Sequence, residues 1–396
     1  MPISERLRQL GSGVFGRVDG EKRIYRNSAQ QQQRPLIDLS LGSSDLKPPP
    51  RLLQVMAEAM VEPPSSRYCL QAATAPFRQA AAAWLEQRFG LSVDPEREIL
   101  LLVGSQEGTA HLPLAVLNPG DPALVLDPSY PSHAGGVALA SGQLVRLPLL
   151  ADQGWRPAFE QLSDEQRRQL RLLVLGYPHN PTATTGSQEW LEQAMAIAQQ
   201  SDAVLAHDNP YLDLALEGEA PALLRCEGWR ERGIEFFSFS KGWCLAGFRL
   251  VFAVGAPALI EALARVKGVV DFNQSLALQA GAIAALQEFP DWPRQLCDRY
   301  RQRRDHMAGL LTAADWTVPN SAMALYQWLP IPEPLRDLGS EKAAQWLLQN
   351  SGVALTPGVG FGPCGEGWLR LALVADEPVL EDASARLRLA LDQPTI

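Results

Sequence analysis

Long apolar runs are missing from this sequence. No stretch approaches the roughly 20 consecutive apolar residues that a bilayer-spanning helix needs, so no membrane partner is expected. Positive charge is also scarce: 35 Lys and Arg stand against 44 Asp and Glu, a net charge of −9 with an isoelectric point near 5.2. That balance argues against general binding to nucleic acid or anionic lipid, while leaving room for a local cationic pocket. Paired cysteines are absent as well. Cys69, Cys226, Cys244, Cys297 and Cys364 are scattered with no C-x-x-C, which predicts reduced thiols, no disulfide and no metal site. The opening MPISERLRQL carries Glu5, Arg6 and Arg8 where a secretory signal would be apolar, so a cytoplasmic protein is expected. The sequon Asn273-Gln274-Ser275 then has no consequence.

What is present reads as a large α/β protein. Hydrophobic residues make up 46% of the 396, ample for one large or two ordinary domains. Residues 1–35 are polar, with a glutamine run at Gln30–Gln33, and predict an N-terminal arm. Gly11-Ser12-Gly13-Val14-Phe15-Gly16 matches G-x-G-x-x-G, but no strand precedes it, so a flexible turn is expected rather than a dinucleotide site. Ile37–Gly42 predicts a short strand, and Pro48-Pro49-Pro50 a stiff linker into a helix over 51–61. Apolar strands are predicted at Ile99–Val103, Ala123–Asp127, Leu144–Leu147, Leu172–Leu175, Ala203–His207, Ile234–Phe239 and Arg249–Val254, with helices between them. Continuous apolar strands alternating with helices indicate a mostly parallel sheet covered on both faces. After about residue 290 the rhythm changes to a long charged helix, Trp316–Val318, Ala324–Leu329, a helix over 340–350, Trp368–Leu373 and a last helix over 378–391. The expected division is a large domain over 46–289 and a smaller α+β domain built from 1–45 and 290–396.

The chemistry concentrates in residues 234–249, IEFFSFSKGWCLAGFR. A buried strand runs into Ser238, Ser240 and Lys241, and Arg249 opens the next strand. Ligands of open α/β sheets bind at such strand ends. A lysine at the lip of an apolar strand is partly desolvated, which favours its neutral, nucleophilic form. Two hydroxyls and an arginine beside it suit a phosphate. Together these residues predict a Schiff-base lysine next to a phosphate-bearing cofactor. Ser238-x-x-Lys241 also matches S-x-x-K, but the S-D-N and K-T-G companions of a serine acyl-enzyme are lacking.

The other strand ends fit the same picture. Gly104-Ser105-Gln106 opens a helix after one strand and offers free backbone N–H groups to an anion. Tyr130 follows the next, then Asn180, then Asp208 with Tyr211. An acid ending an apolar strand is costly unless a cation meets it.

This order of strand-end residues resembles the class I/II aminotransferases, the fold-type I pyridoxal-phosphate enzymes, over about residues 36–375. The resemblance implies pyridoxal 5'-phosphate as cofactor, with Lys241 as Schiff-base lysine and proton carrier, Asp208 facing the pyridinium nitrogen, and Asn180 and Tyr211 bonding the ring's phenolic oxygen. Tyr130 would stack on the ring. Ser105, Gln106, Ser238, Ser240 and Arg249 would hold the phosphate. Arg370 and Gly42, with Asn180, would meet the substrate carboxylate. Tyr68 would reach the phosphate of a neighbouring subunit, which implies a homodimer. Three positions depart from the family pattern: Ala73, Ala183 and Val251 stand where glycine is usual. The expected reaction is ping-pong transfer of an amino group between an amino acid and a 2-oxo acid. Leu41–Leu46 and Ser105–Pro113 look most like the aminotransferases acting on LL-diaminopimelate or N-succinyl-diaminopimelate. Alternatives are an aspartate or aromatic specificity, a β-lyase, and a non-enzymatic regulatory module. The family reads the distal substrate group near Asp271, Asn273 and Gln274, which could equally cap the next helix.

Overall fold

Seven apolar segments meet in one sheet. A computed structural model of the chain describes residues 3–10 and 13–392. In it the strands are β1 (Ile99–Val103), β2 (Pro122–Asp127), β3 (Gln143–Pro148), β4 (Leu172–Leu175), β5 (Val204–Asn209), β6 (Gly233–Ser238) and β7 (Leu250–Gly255). Their order is β1-β7-β6-β5-β4-β2-β3. The run from β6 to β3 is parallel throughout. Only β7 is reversed in this sheet, antiparallel to both β1 and β6.

Most of the strands are apolar along their length because both faces are covered; the edge strand β3, with Gln143 and Arg146 exposed, is the exception. Alternate side chains go to opposite faces, so each strand feeds two cores. Ile99, Leu101, Leu173 and Phe237 join one core with helices Pro50–Met60, Ala75–Phe89, Gln188–Ser201 and Leu276–Glu288. Leu100, Leu102, Leu172 and Phe236 join the other with helices Ser105–Val116 and Pro257–Val270. Proline in the first turn starts several of these helices, among them Ala75–Phe89, Pro131–Leu139 and Pro257–Val270; its missing N–H costs nothing there.

A third core lies around a three-stranded antiparallel sheet, Thr356–Pro357, Trp368–Ala372 and Tyr326–Pro330. Helices Trp292–Thr312, Gly339–Ser351 and Glu377–Asp392 supply its apolar residues, including Met307, Leu347 and Leu380. Ile37 and Leu39 belong to this core, where Ile37–Asp38 pairs in parallel with Val353–Ala354.

Three local expectations change. The strand expected over Ile37–Gly42 shortens to Ile37–Asp38. Trp316–Val318 is not a strand; Trp316 buries its ring and donates its indole N–H to the Pro330 carbonyl at 2.8 Å. The N-terminal arm is helical, over Glu5–Leu10, Val14–Arg26 and Gln30–Gln33. Val14 and Tyr25 bury apolar side chains, Lys22, only 5% exposed, reaches Asp38 at 2.8 Å, and at the surface Arg17 reaches Glu341 at 2.7 Å. Of the glycine motif, Gly11 and Ser12 lie outside the described residues, and Val14, Phe15 and Gly16 form a first helical turn.

Candidate active site

One rim of the seven-stranded sheet faces the antiparallel sheet across a cavity of about 250 Å³. The cavity collects nearly every residue singled out from the sequence: Gly42, Ser105, Gln106, Tyr130, Asn180, Asp208, Tyr211, Ser238, Ser240, Lys241, Arg249 and Arg370. Tyr68 is not among them. It stands on the surface, 84% exposed, with its ring 5.5 Å from that of Phe272.

At one end the cavity is built for an anion. Gly104, at φ +87°, caps the 12-residue helix Ser105–Val116 and leaves its first N–H groups free. A Cβ on Gly104 would lie 2.1 Å from Nη2 of Arg249, so the guanidinium rests on bare backbone. Ser238 accepts a hydrogen bond from the Ser240 N–H at 3.1 Å, and both serines line the cavity at the end of β6.

Deeper in, Asp208 is 6% exposed and spends only one oxygen on protein: Oδ2 meets His133 Nε2 at 3.2 Å. Its Oδ1 is buried without a partner. An orphaned carboxylate oxygen facing a cavity calls for a cationic donor. Lys241 donates to the Gly42 carbonyl. Burial first, then the charges of Arg370 and Arg249, holds its ammonium below the ordinary lysine value, so the neutral amine is within easier reach.

On the side of the antiparallel sheet, Arg370 is 1% exposed. Its fork donates to Asn180 Oδ1 and to the Ser40 carbonyl, both at 2.8 Å, and its face lies 4.3 Å from the Tyr326 ring centre and 4.8 Å from that of Phe361. All these partners are neutral, and Nε is buried without one. A guanidinium so enclosed, with no carboxylate pairing it among the described residues, fits an incoming anion.

The family model for aminotransferase class I and II matches residues 34–387. The chain belongs to the class I and II aminotransferases. Among its relatives, an LL-diaminopimelate aminotransferase from Desulforudis audaxviator is 35% identical, the match covering 99% of this chain and 98% of that protein. The glutamate-pyruvate aminotransferase AlaC of Escherichia coli is 34% identical over 90% of this chain and 87% of its own. A solved structure of a probable N-succinyldiaminopimelate aminotransferase from Thermus thermophilus superposes with a TM-score of 0.87 at 40% identity, covering 95% of this chain and all of that one. The fold is therefore fold-type I, and the protein is an aminotransferase.

Three lining residues of the aminotransferase had no signal strong enough to mark them. His133 follows Tyr130 by three positions, one helical turn; the need of a buried Asp208 for a hydrogen-bond partner was the available clue. Phe15 comes from the polar arm and lies 6.1 Å from Tyr130, ring to ring. Tyr326 comes from the antiparallel sheet, its hydroxyl 3.0 Å from that of Tyr211. Asp271, Asn273 and Gln274 do not line the cavity. Asp271 pairs with Lys267 at 3.2 Å, Asn273 donates to the Cys69 carbonyl at 3.2 Å, and Gln274 donates to the carbonyls of Leu102, at 2.6 Å, and Arg249. The helix cap there is Ser275. Of the three departures, Ala183 does sit at φ +58°, where glycine is easier; Ala73 lies in a short 3-10 turn, and Val251 is an ordinary strand residue of β7.

Proposed function

We propose that this aminotransferase holds pyridoxal 5'-phosphate in the cavity and transfers the amino group of a diaminopimelate-type amino acid to a 2-oxo acid by ping-pong chemistry. The observation that carries the cofactor assignment is the buried, unpartnered Oδ1 of Asp208, matched at the opposite end by the Gly104–Arg249 anion cradle. Cofactor contacts would come from Ser105, Gln106, Ser238, Ser240 and Arg249 at the phosphate, Tyr130 at the ring face, Asn180 and Tyr211 at the phenolic oxygen, and Asp208 at the ring nitrogen. Bound there, the cofactor would supply an aldehyde and an electron-withdrawing ring that acidifies the substrate Cα–H. Lys241 would supply the amine that meets that aldehyde, and its Nζ would hold and move the substrate Cα proton. Arg370, with Asn180 and the backbone of Gly42, binds the α-carboxylate and orients the Cα–H toward Lys241.

The diaminopimelate assignment is supported by relatives named for LL-diaminopimelate and N-succinyldiaminopimelate at full-length coverage. Tyr68 belongs to the same reading: an exposed ring beside exposed Phe272, with Val269 and Val270 also exposed, suits a homodimer in which Tyr68 reaches the phosphate of the other subunit. So does a division into a large domain, 46–289, and a small one, 1–45 with 290–396, which separate apolar cores support.

The test is a visible absorbance spectrum of the protein loaded with pyridoxal phosphate, titrated with LL-diaminopimelate, N-succinyl-LL-diaminopimelate, alanine and aspartate. Loss of the band with a diaminopimelate donor, and transfer of the amino group to 2-oxoglutarate without release of ammonia, is the expected result. Response to alanine alone would move the assignment to glutamate–pyruvate exchange, and ammonia release to a lyase.

A further inference from the structure

Tyr326 was singled out by no sequence signal, yet it closes a ring of contacts around the cavity. Arg370 Nη1 donates to Asn180 Oδ1 at 2.8 Å, Asn180 Nδ2 donates to the Tyr211 hydroxyl at 3.5 Å, the Tyr211 and Tyr326 hydroxyls are 3.0 Å apart, and the Tyr326 ring carries the Arg370 guanidinium on its face at 4.3 Å. Every member is at least nine-tenths buried, Tyr326 itself being 2% exposed. The ring joins two separately built pieces of the protein. Asn180 and Tyr211 follow β4 and β5, whereas Arg370 and Tyr326 stand on paired strands of the antiparallel sheet, with Arg370 opposite Trp328 and Ala372 opposite Tyr326.

The hydroxyl position is specific. A Cβ on Gly42 would lie 1.8 Å from Tyr326 Oη, so the phenol crosses over the one backbone unit whose carbonyl takes Lys241. Tyr211 has a single hydrogen to donate. If that hydrogen serves an acceptor in the cavity, the 3.0 Å contact requires Tyr326 to be the donor of the pair, and it is a closer donor to the Tyr211 oxygen than Asn180 Nδ2 at 3.5 Å.

We propose that Tyr326 is a positioning residue with two separable parts: its hydroxyl donates to Tyr211 and so frees the Tyr211 hydrogen for the cofactor's phenolic oxygen, while its ring supports the carboxylate-binding face of Arg370. The inference rests on the cofactor placement proposed above. It deepens that placement by coupling the substrate arginine to the cofactor's oxygen through the chain's own side chains.

The charges around Tyr326 are consistent with this. Burial would raise its phenol, but Lys241, Arg370 and the bond with Tyr211 outweigh burial and lower it, whereas burial and the neighbouring Tyr326 raise Tyr211. Of the pair, Tyr326 is the better donor. The titratable groups that face Tyr326 are Lys241 from the turn after β6, Arg370 from Trp368–Ala372, Tyr211 after β5, and Tyr130 at the start of helix Pro131–Leu139.

The test uses the full-length protein loaded with pyridoxal phosphate, with no substrate turning over. The readout is the pH midpoint of its visible band, compared among wild type, Tyr326→Phe, Tyr211→Phe and the double variant. Removing a donor from behind Tyr211 weakens its bond to the deprotonated cofactor oxygen, so Tyr326→Phe should raise the midpoint by about 0.5–1 pH unit. Tyr211→Phe should raise it further, and the double variant should match Tyr211→Phe alone, since the effect passes through Tyr211. The ring is read separately. Tyr326→Phe keeps the cation–π face, so KM for the amino acid should change less than about twofold, whereas Tyr326→Leu should raise KM roughly 2- to 30-fold. An unmoved midpoint in Tyr326→Phe, additive shifts in the double variant, or equal KM for the Phe and Leu variants would each overturn the proposal. Wild-type protein that forms no visible band would instead overturn the cofactor placement, so the two failures are distinguishable.

Discussion

Replacing Arg370 by glutamine gives the most direct reading of what the cavity is for. The guanidinium is 1% exposed, donates to two neutral oxygens at 2.8 Å and has no carboxylate pairing it among the described residues. Its charge is thus carried at a cost until an anion arrives. A carboxylate brought to about 4 Å interacts by about 4 kcal/mol at an effective dielectric near 20. Removing one partner of a buried, hydrogen-bonded charge pair costs about 2–5 kcal/mol. The expected loss in kcat/KM for an amino-acid donor is therefore roughly 30- to 5,000-fold in Arg370→Gln. Arg370→Lys keeps the charge and loses the fork, so its loss should be smaller. The control is an amine of similar length without a carboxylate. It makes no demand on Arg370, and its already low turnover should change by less than about threefold. A second assay needs no turnover. A saturating small carboxylate should raise the unfolding free energy of wild type by about 2.7 kcal/mol at one hundred times its Kd, and leave Arg370→Gln unchanged. Equal losses for the carboxylated and uncarboxylated amines, or equal carboxylate stabilisation in both proteins, would refute the role of Arg370.

Other outcomes follow from the same geometry. Gly104→Ala puts a Cβ on a residue at φ +87° and 2.1 Å from Arg249, so phosphate affinity should fall at least about tenfold, with a stability loss of about 1–3 kcal/mol; equilibrium dialysis of the cofactor with a thermal melt checks both. Lys241 is held below the ordinary lysine value by burial and by Arg370 and Arg249. Cations disfavour an ammonium, so Arg249→Gln should move the pH midpoint for aldehyde condensation by the apoprotein upward, and a downward shift would contradict the assignment. If Tyr68 serves the other subunit, inactive Tyr68→Ala and Lys241→Ala proteins mixed as subunits should recover about a quarter of wild-type activity, because half the dimers are mixed and each has one intact site. No recovery after verified subunit exchange would place Tyr68 outside the site.

Much of the site was readable because it sits where apolar strands stop. Leu172–Leu175, Ile99–Val103 and the strands beside them are continuous because helices cover both faces, and that continuity makes the first polar residues beyond each strand conspicuous. Asn180, Asp208 and Lys241 were found that way. Tyr326 was not, because its path to Tyr211 depends on the antiparallel register Ala372↔Tyr326 and on how a second core meets the first. Local sequence carries neither. Phe15 was missed for a related reason: its segment is polar and uncapped, and its helix is fixed by tertiary contacts, the buried Val14 and Tyr25 and the Lys22–Asp38 pair. Asp271, Asn273 and Gln274 show the converse, polar residues near the site in sequence that are consumed in holding backbone.

The reversed direction of β7 decides what the turn after β6 can do. A parallel strand would enter the sheet at the far edge, leaving Arg249 about 20 Å away from the rim, six residues at about 3.3 Å each. Running backward, β7 begins where β6 ends, so the Lys241 amine and the Arg249 guanidinium ride on one short covalent loop, residues 241–249. Their spacing is fixed by chain connectivity more than by packing. Breaking the backbone inside that loop should detach nucleophile from anchor even if every strand stays paired, whereas a break in the surface turns at the opposite edge should leave both in place.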